Sequence, residues 1–282
     1  RNRGVELQLD GTPIKTGDFT WNATFTWAKN YNKVLSLASG LKDGQIIAYT
    51  GGTNCALIAK VGGSIGDMYG YKLKRAPDGQ VVWKDGITAC PTEIEYVGNA
   101  YPAWKAGFSN EFAYKNFRVS ILFDGQWGGI VYSQTHHKMT EHGTLKHTLK
   151  YRENPNFEVV GEGVMLNENG QYVPNNVPIS VSKYYGDYWR RANVETNSFD
   201  ASFLKLREAR IEYTIPAKRL NKIGVERLTF ALYGRNLAMW TKNFPVYDPE
   251  VATLNSGTIV PGSEMGQLPS TRTMGFNLTL KF

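Results

Sequence analysis

Residues 271–282, TRTMGFNLTLKF, alternate without a break. Met274, Phe276, Leu278, Leu280 and Phe282 fall on one side of an extended chain, and Thr273, Gly275, Asn277, Thr279 and Lys281 fall on the other. Successive side chains of a β-strand point to opposite faces, so this period of two predicts a strand with one apolar and one polar face. Six earlier stretches read the same way: 5–10, 19–27, 104–114, 117–123, 208–215 and 228–233. In 19–27 the apolar set is Phe19, Trp21, Ala23, Phe25 and Trp27; in 104–114 a single polar residue, Asn110, interrupts it.

Composition narrows the class. Of the 282 residues 41% are hydrophobic and the mean hydropathy is −0.37. No stretch approaches the roughly 20 apolar residues of a membrane-spanning helix. That excludes a helical membrane protein and leaves β-barrels open, because their strands place only every second residue in lipid. Sixteen Tyr, seven Trp and 29 Gly favour strands, turns and interfacial belts. The net charge of +7 is scattered over turns and loops rather than gathered into a stripe; it speaks against nucleic acid and for anionic headgroups or a negatively charged partner. The opening Arg1-Asn2-Arg3-Gly4 lacks a charged segment followed by an apolar one, so any signal peptide is expected outside this sequence.

The connections between the strands alternate in length. Short links (11–18, 115–116, 216–226) follow long ones (28–103, 128–202, 236–270), the pattern of short periplasmic turns and long extracellular loops in outer-membrane barrels. Trp27, Trp104, Trp127 and Trp240 lie near the long-loop ends, and Phe19, Tyr114, Phe117, Tyr213 and Phe282 near the short-turn ends, as two aromatic girdles would. The expected fold is all-β: an antiparallel transmembrane β-barrel segment with its C-terminus on the periplasmic side of the outer membrane. An odd count of seven strands leaves an edge unpaired in lipid, so a longer polypeptide is expected to complete the barrel.

Six stretches in order carry a family resemblance: 65–71 (IGDMYGY), 123–129 (FDGQWGG), 200–207 (DASFLKLR), 213–216 (YTIP), 234–237 (GRNL) and 247–250 (YDPE), with the opening 2–7 (NRGVEL) beside them. Together they resemble the C-terminal part of a SusC/RagA-type TonB-dependent outer-membrane transporter. The resemblance implies residues 1–282 as the last strands of a barrel of about 22 strands, with the plug, the TonB-contacting segment and the N-terminal strands absent. It further implies import of glycan oligosaccharides or peptides, a SusD-like surface lipoprotein, TonB as the drive, no cofactor and no enzymatic step. The alternatives are another outer-membrane barrel, such as a siderophore receptor or porin-like channel, and a secreted carbohydrate-binding β-sandwich.

Residues 184–191 (YYGDYWRR) cluster aromatic faces that suit sugar rings, peptide chains or a partner protein. Tyr184, Tyr185, Tyr188 and Trp189, with Trp127, Trp240 and Tyr247 from other loops, are the candidates for substrate or partner contact; packing of the loops against one another is the competing reading. Cys55 and Cys90, the only cysteines, form either a disulfide or two free thiols. His136, His137, His142 and His147, near Glu141, match no metal pattern and read as solvated loop histidines; Asp248 and Glu250 read as solvated acids. Glu208, Arg210 and Glu212 are expected to face the lumen and pair with one another or with the plug, and the basic turn 218–222 to reach headgroups.

Overall fold

The structure, a computed structural model, describes residues 1–50, 54–216, 218, 220, 224–250, 253–255 and 258–282. Of the basic turn 218–222, Arg219, Asn221 and Lys222 lie outside the described residues. Seven long strands, β1 (Asn2–Lys15), β2 (Phe19–Asn32), β3 (Trp104–Tyr114), β4 (Phe117–Trp127), β5 (Phe203–Ile215), β6 (Arg227–Thr241) and β7 (Thr273–Lys281), form one sheet in chain order. Every neighbouring pair is antiparallel.

Register joins the separate alternations into two continuous faces. Trp21, Phe112, Val119, Ile211, Leu232 and Phe276 are successive partners across β2 to β7, and Phe19, Tyr114, Phe117, Tyr213, Phe230 and Leu278 form a second row. One residue along each strand lies a polar row, Asn22, Glu111, Ser120, Arg210, Tyr233 and Gly275. A slip of one residue in any strand would move its whole apolar set to the wrong face.

The apolar face is uncovered. Phe276 is 72% exposed, and Val5, Leu9, Met274 and Leu278 are also exposed. The buried apolar residues instead lie mostly in the long connections. In water each such side chain left exposed forgoes about 1.5–3 kcal/mol, so this face requires an apolar surrounding from outside the chain.

Asn110, the interruption in the apolar set of β3, is only 7% exposed. Its Oδ1 accepts a 3.1 Å hydrogen bond from the Trp21 indole Nε1 on the adjacent strand, which satisfies that indole N–H on the apolar face. On the polar face Arg210 pairs with Glu212 as expected, whereas Glu208 is taken by Arg235 of β6 at 2.9 Å; Arg118 and Glu111 form a further pair at 3.4 Å.

The strands outrun the sequence expectation wherever alternation is interrupted. β1 continues through an irregularity between Gly11 and Ile14. β5 begins at Phe203, because its pairing with both neighbours shifts register around Arg207. That bulge changes phase, so Leu204 and Leu206 join the apolar face although Ala209, Ile211 and Tyr213 have the opposite parity. β6 runs past Asn236, which adopts a positive φ of 52° at the same irregularity. The long connections are therefore 33–103, 128–202 and 242–272, against the expected 28–103, 128–202 and 236–270.

Asn110→Ala is expected to destabilise the sheet by about 1–3 kcal/mol through the orphaned indole N–H, and adding Trp21→Phe to recover part of that loss. Denaturant unfolding of the two single variants and the double variant in lipid or detergent checks the coupling.

Candidate functional site

The long connections fold together on one end of the sheet. Ile130–Ser133 pairs with Ser198–Asp200 and with Ser263–Glu264 from the third connection, and Val82–Lys84 of the first pairs with Val164–Leu166 of the second. One apolar cluster draws Cys55, Leu57 and Met68 from the first connection, Tyr132 and Val194 from the second, and Val260 from the third.

Cys55 and Cys90 are both free, so the disulfide alternative gives way to two thiols. Cys55 is buried in that cluster, where desolvation pushes its thiol up to about 12. Cys90 is exposed, with its Sγ 3.4 Å from the Arg190 guanidinium.

An ionic cluster holds the third connection to the sheet. Lys205, only 2% exposed, donates to Asp248 at 2.5 Å and also to Glu250. Arg207 contacts Glu250 at 3.0 Å and hydrogen-bonds Asp124 of β4 at 2.9 Å. Asp248 and Glu250 are thus tied acids, not solvated ones. Burial raises the Glu250 carboxyl, but hydrogen bonds from Arg207 and Lys205 outweigh it and leave the group below its ordinary range. The bulge at Arg207 creates the site: with the phase change, Lys205 faces the same side as its partner Asp124.

Helix α1 (Gln134–Glu141) starts where the Ser133 side chain accepts from the His136 amide. Helix α2 (Val181–Tyr188) starts on Ser180, whose hydroxyl accepts from the Lys183 amide. Between them lies an open cavity of about 320 Å³ lined by His136, His147, Lys150, Tyr151, Tyr184, Tyr185, Trp189, Phe199 and Pro245. Trp189 stacks on Tyr185 at 5.4 Å, and His147 leans on Trp189 at 5.1 Å. The Tyr185 hydroxyl donates to the His147 carbonyl at 2.8 Å. Burial raises the phenols of Tyr184 and Tyr185, so the aromatic wall is neutral.

The seven aromatic candidates do not form one site. Tyr184, Tyr185 and Trp189 line the cavity, whereas Tyr188 turns away to stack on Trp83 at 5.9 Å. Trp127 pairs with Trp104, and Trp240 with Leu204, both on the apolar face of the sheet near its long-connection end. Tyr247 packs against the cluster of Val131, Ala201 and Phe244.

The histidines differ most from expectation. His136 and His137 are buried rather than solvated. His137 Nδ1 meets the Trp189 carbonyl at 2.8 Å, and His136 stacks on His147 at 5.3 Å. His137 Nε2 lies 3.9 Å from the Glu141 carboxylate, one turn on along α1. Among the described residues no group of three or more His, Cys, Asp and Glu is placed to hold a metal ion.

No family model matches the chain. Over its full length it is 25% identical to the TonB-dependent receptor P3 of Formosa agariphila and 27% to receptor P26 of the same organism. The chain is a relative of TonB-dependent receptors. It spans 28% of P3 and 29% of P26. Its whole length also superposes on 28% of a chain in the RagAB peptide importer in the open-open state, with a TM-score of 0.67 at 19% identity. A RagAB peptide transporter structure gives 0.65 over 29% of its chain. The chain thus has the fold of a segment of that larger protein.

Lys205→Met leaves Asp248 and Glu250 without their buried cation and is expected to cost about 3–5 kcal/mol, read as faster protease cleavage within 242–272. Burial lowers His136 from 6.5 to about 4, opposed by its hydrogen bond to Asn197. The unfolded chain therefore takes up the proton first, and stability on the order of 3 kcal/mol is lost as pH falls from about 6.5 to about 4. Thermal unfolding of the loop region at pH 7.5 and pH 5 should show the lower midpoint at pH 5, with a smaller difference in His136→Gln.

Proposed function

We propose that this chain is part of the wall and the external cap of an outer-membrane, TonB-dependent importer. The carrying observation is the uncovered apolar face, in register over all seven strands, beneath a cap that contains most of the chain's buried apolar residues. Hydrocarbon supplies the apolar surrounding that the face lacks, and the polar face, with its paired charges, suits a lumen and plug. The Trp104–Trp127 pair, Trp27 and Trp240 then sit in the outer interface, and the row from Phe19 to Tyr213 in the inner one. The three long connections lie outside the cell, and the C-terminus on the periplasmic side.

The relatives are named as receptors, and the solved structures as an importer of peptides; this supports transport rather than catalysis. In our reading the remainder of the barrel, the plug and TonB come from parts beyond this chain, a SusD-like surface lipoprotein covers the cap, and the cargo is an oligosaccharide or a peptide. A soluble β-sandwich is disfavoured, since no second sheet covers the apolar face among the described residues. A porin-like channel is disfavoured by the similarity to TonB-dependent receptors along the whole of this chain.

Orientation is tested by cysteine labelling of the full-length protein in cells, in a Cys90→Ser background. Asn169→Cys, in the exposed turn of the second connection, should react with a membrane-impermeant maleimide on intact cells. Gly17→Cys, in the open turn between β1 and β2, should react only after the outer membrane is permeabilised. The reverse pattern overturns the orientation, and equal labelling at both sites overturns the membrane reading.

A further inference from the structure

The cavity between α1 and α2 has a graded wall. His136 and Tyr185 are buried at its back, while Lys150 and Pro245 are exposed at its mouth. Trp189, Tyr185, Tyr184 and Tyr151 supply flat faces between them. At about 320 Å³ it lies at the low end of small-molecule sites, which run about 300–1,000 Å³, so it suits one ring better than a length of chain.

The hydrogen-bond network settles which groups a ligand would meet at the back. Asn197 Nδ2 lies 3.0 Å from the Trp189 carbonyl and 3.2 Å from that of Asn193, so the amide nitrogen is the donor there. Its Oδ1 must then accept from His136 Nδ1 at 2.9 Å. His136 Nε2 is left as a lone-pair acceptor, with no hydrogen bond among the described residues. The mouth carries the opposite character: the Lys150 ammonium lies 4.6 Å over the Tyr151 ring.

We infer that this cavity is a subsite for one sugar ring, which makes the cargo an oligosaccharide. The inference rests on the importer reading above. Aromatic faces receive the C–H face of a pyranose, and a ring hydroxyl donates to His136 Nε2. Other hydroxyls accept from Lys150. An apolar peptide side chain would fill the same volume but leave the imidazole acceptor dry and unpaired. A carboxylate would place its charge against that same lone pair.

Saturation-transfer NMR on the purified full-length protein in detergent tests this, with cellotriose, maltotriose and mannotriose as sugar probes and Ala-Phe-Ala as the peptide probe. The expected result is transfer to the ring protons of at least one trisaccharide. Trp189→Leu and, at the mouth, Tyr151→Ala should each weaken that binding by about tenfold. Trp240→Ala, on the apolar face of the sheet, should leave it unchanged. Circular dichroism on each variant separates loss of binding from loss of fold, and the Tyr151 variant carries the test if the Trp189 variant does not fold. Absence of transfer to every trisaccharide, transfer to the peptide alone, or sugar binding indifferent to Tyr151→Ala overturns the proposal. Because the assay needs no membrane, failure of the importer reading shows itself separately, in the labelling pattern.

Discussion

Everything in this structure depends on keeping seven strands in one register. The apolar residues of each strand are few, and none of the seven is hydrophobic as a whole; only cross-strand alignment turns them into a continuous surface, such as the row from Trp21 to Phe276. Apolar area is favourable only when gathered and removed from water, and here the chain gathers it without removing it. The core that a soluble protein would place behind such a sheet lies instead in the loops, around Tyr132, Met68 and Val194.

That separation makes the junction between sheet and cap the mechanically demanding place. The ionic cluster of Asp124, Lys205, Arg207, Asp248 and Glu250 occupies it. Its members come from three stretches far apart in sequence, 123–129, 200–207 and 247–250. A buried ion pair adds little net stability over apolar packing, but a broken one is expensive, so the cluster acts mainly to specify where the third connection lands. The apolar cluster above it, drawing on all three connections, then has a fixed base on which to assemble.

The sheet was legible in the sequence because a period of two needs no tertiary information. All seven strands, their order and the sidedness of residues such as Phe25 and Phe276 follow from alternation and loop length. Strand ends were less legible, since the bulge at Arg207 reverses parity and looks like a strand terminus. The cap was hardly legible. Its core residues are scattered over some two hundred positions, and its polar members read as solvated until their partners are placed. His136 looks like any loop histidine until Asn197 and Phe199, sixty residues on, are brought beside it. The aromatic run 184–189 stood out as a run, but packing divided it: Tyr188 went to Trp83 while Tyr185 and Trp189 kept the cavity.

The bulge at Arg207 links these levels. Had β5 kept its phase, Lys205 would lie on the apolar face, away from Asp124, Asp248 and Glu250, and Leu204 and Leu206 would lie on the polar one. One unpaired residue reverses this. It gives Leu206 to Phe123 and Ala238 on the apolar face and Lys205 to Asp124 on the other. The irregularity in β6 beside it, with Asn236 in the left-handed region, keeps Ala238 and Trp240 in phase with Leu232 and Phe230. The same local defect that hides the start of β5 from a pattern reading thus places the cation that anchors the cap, and the cap in turn holds the cavity over the end of the sheet.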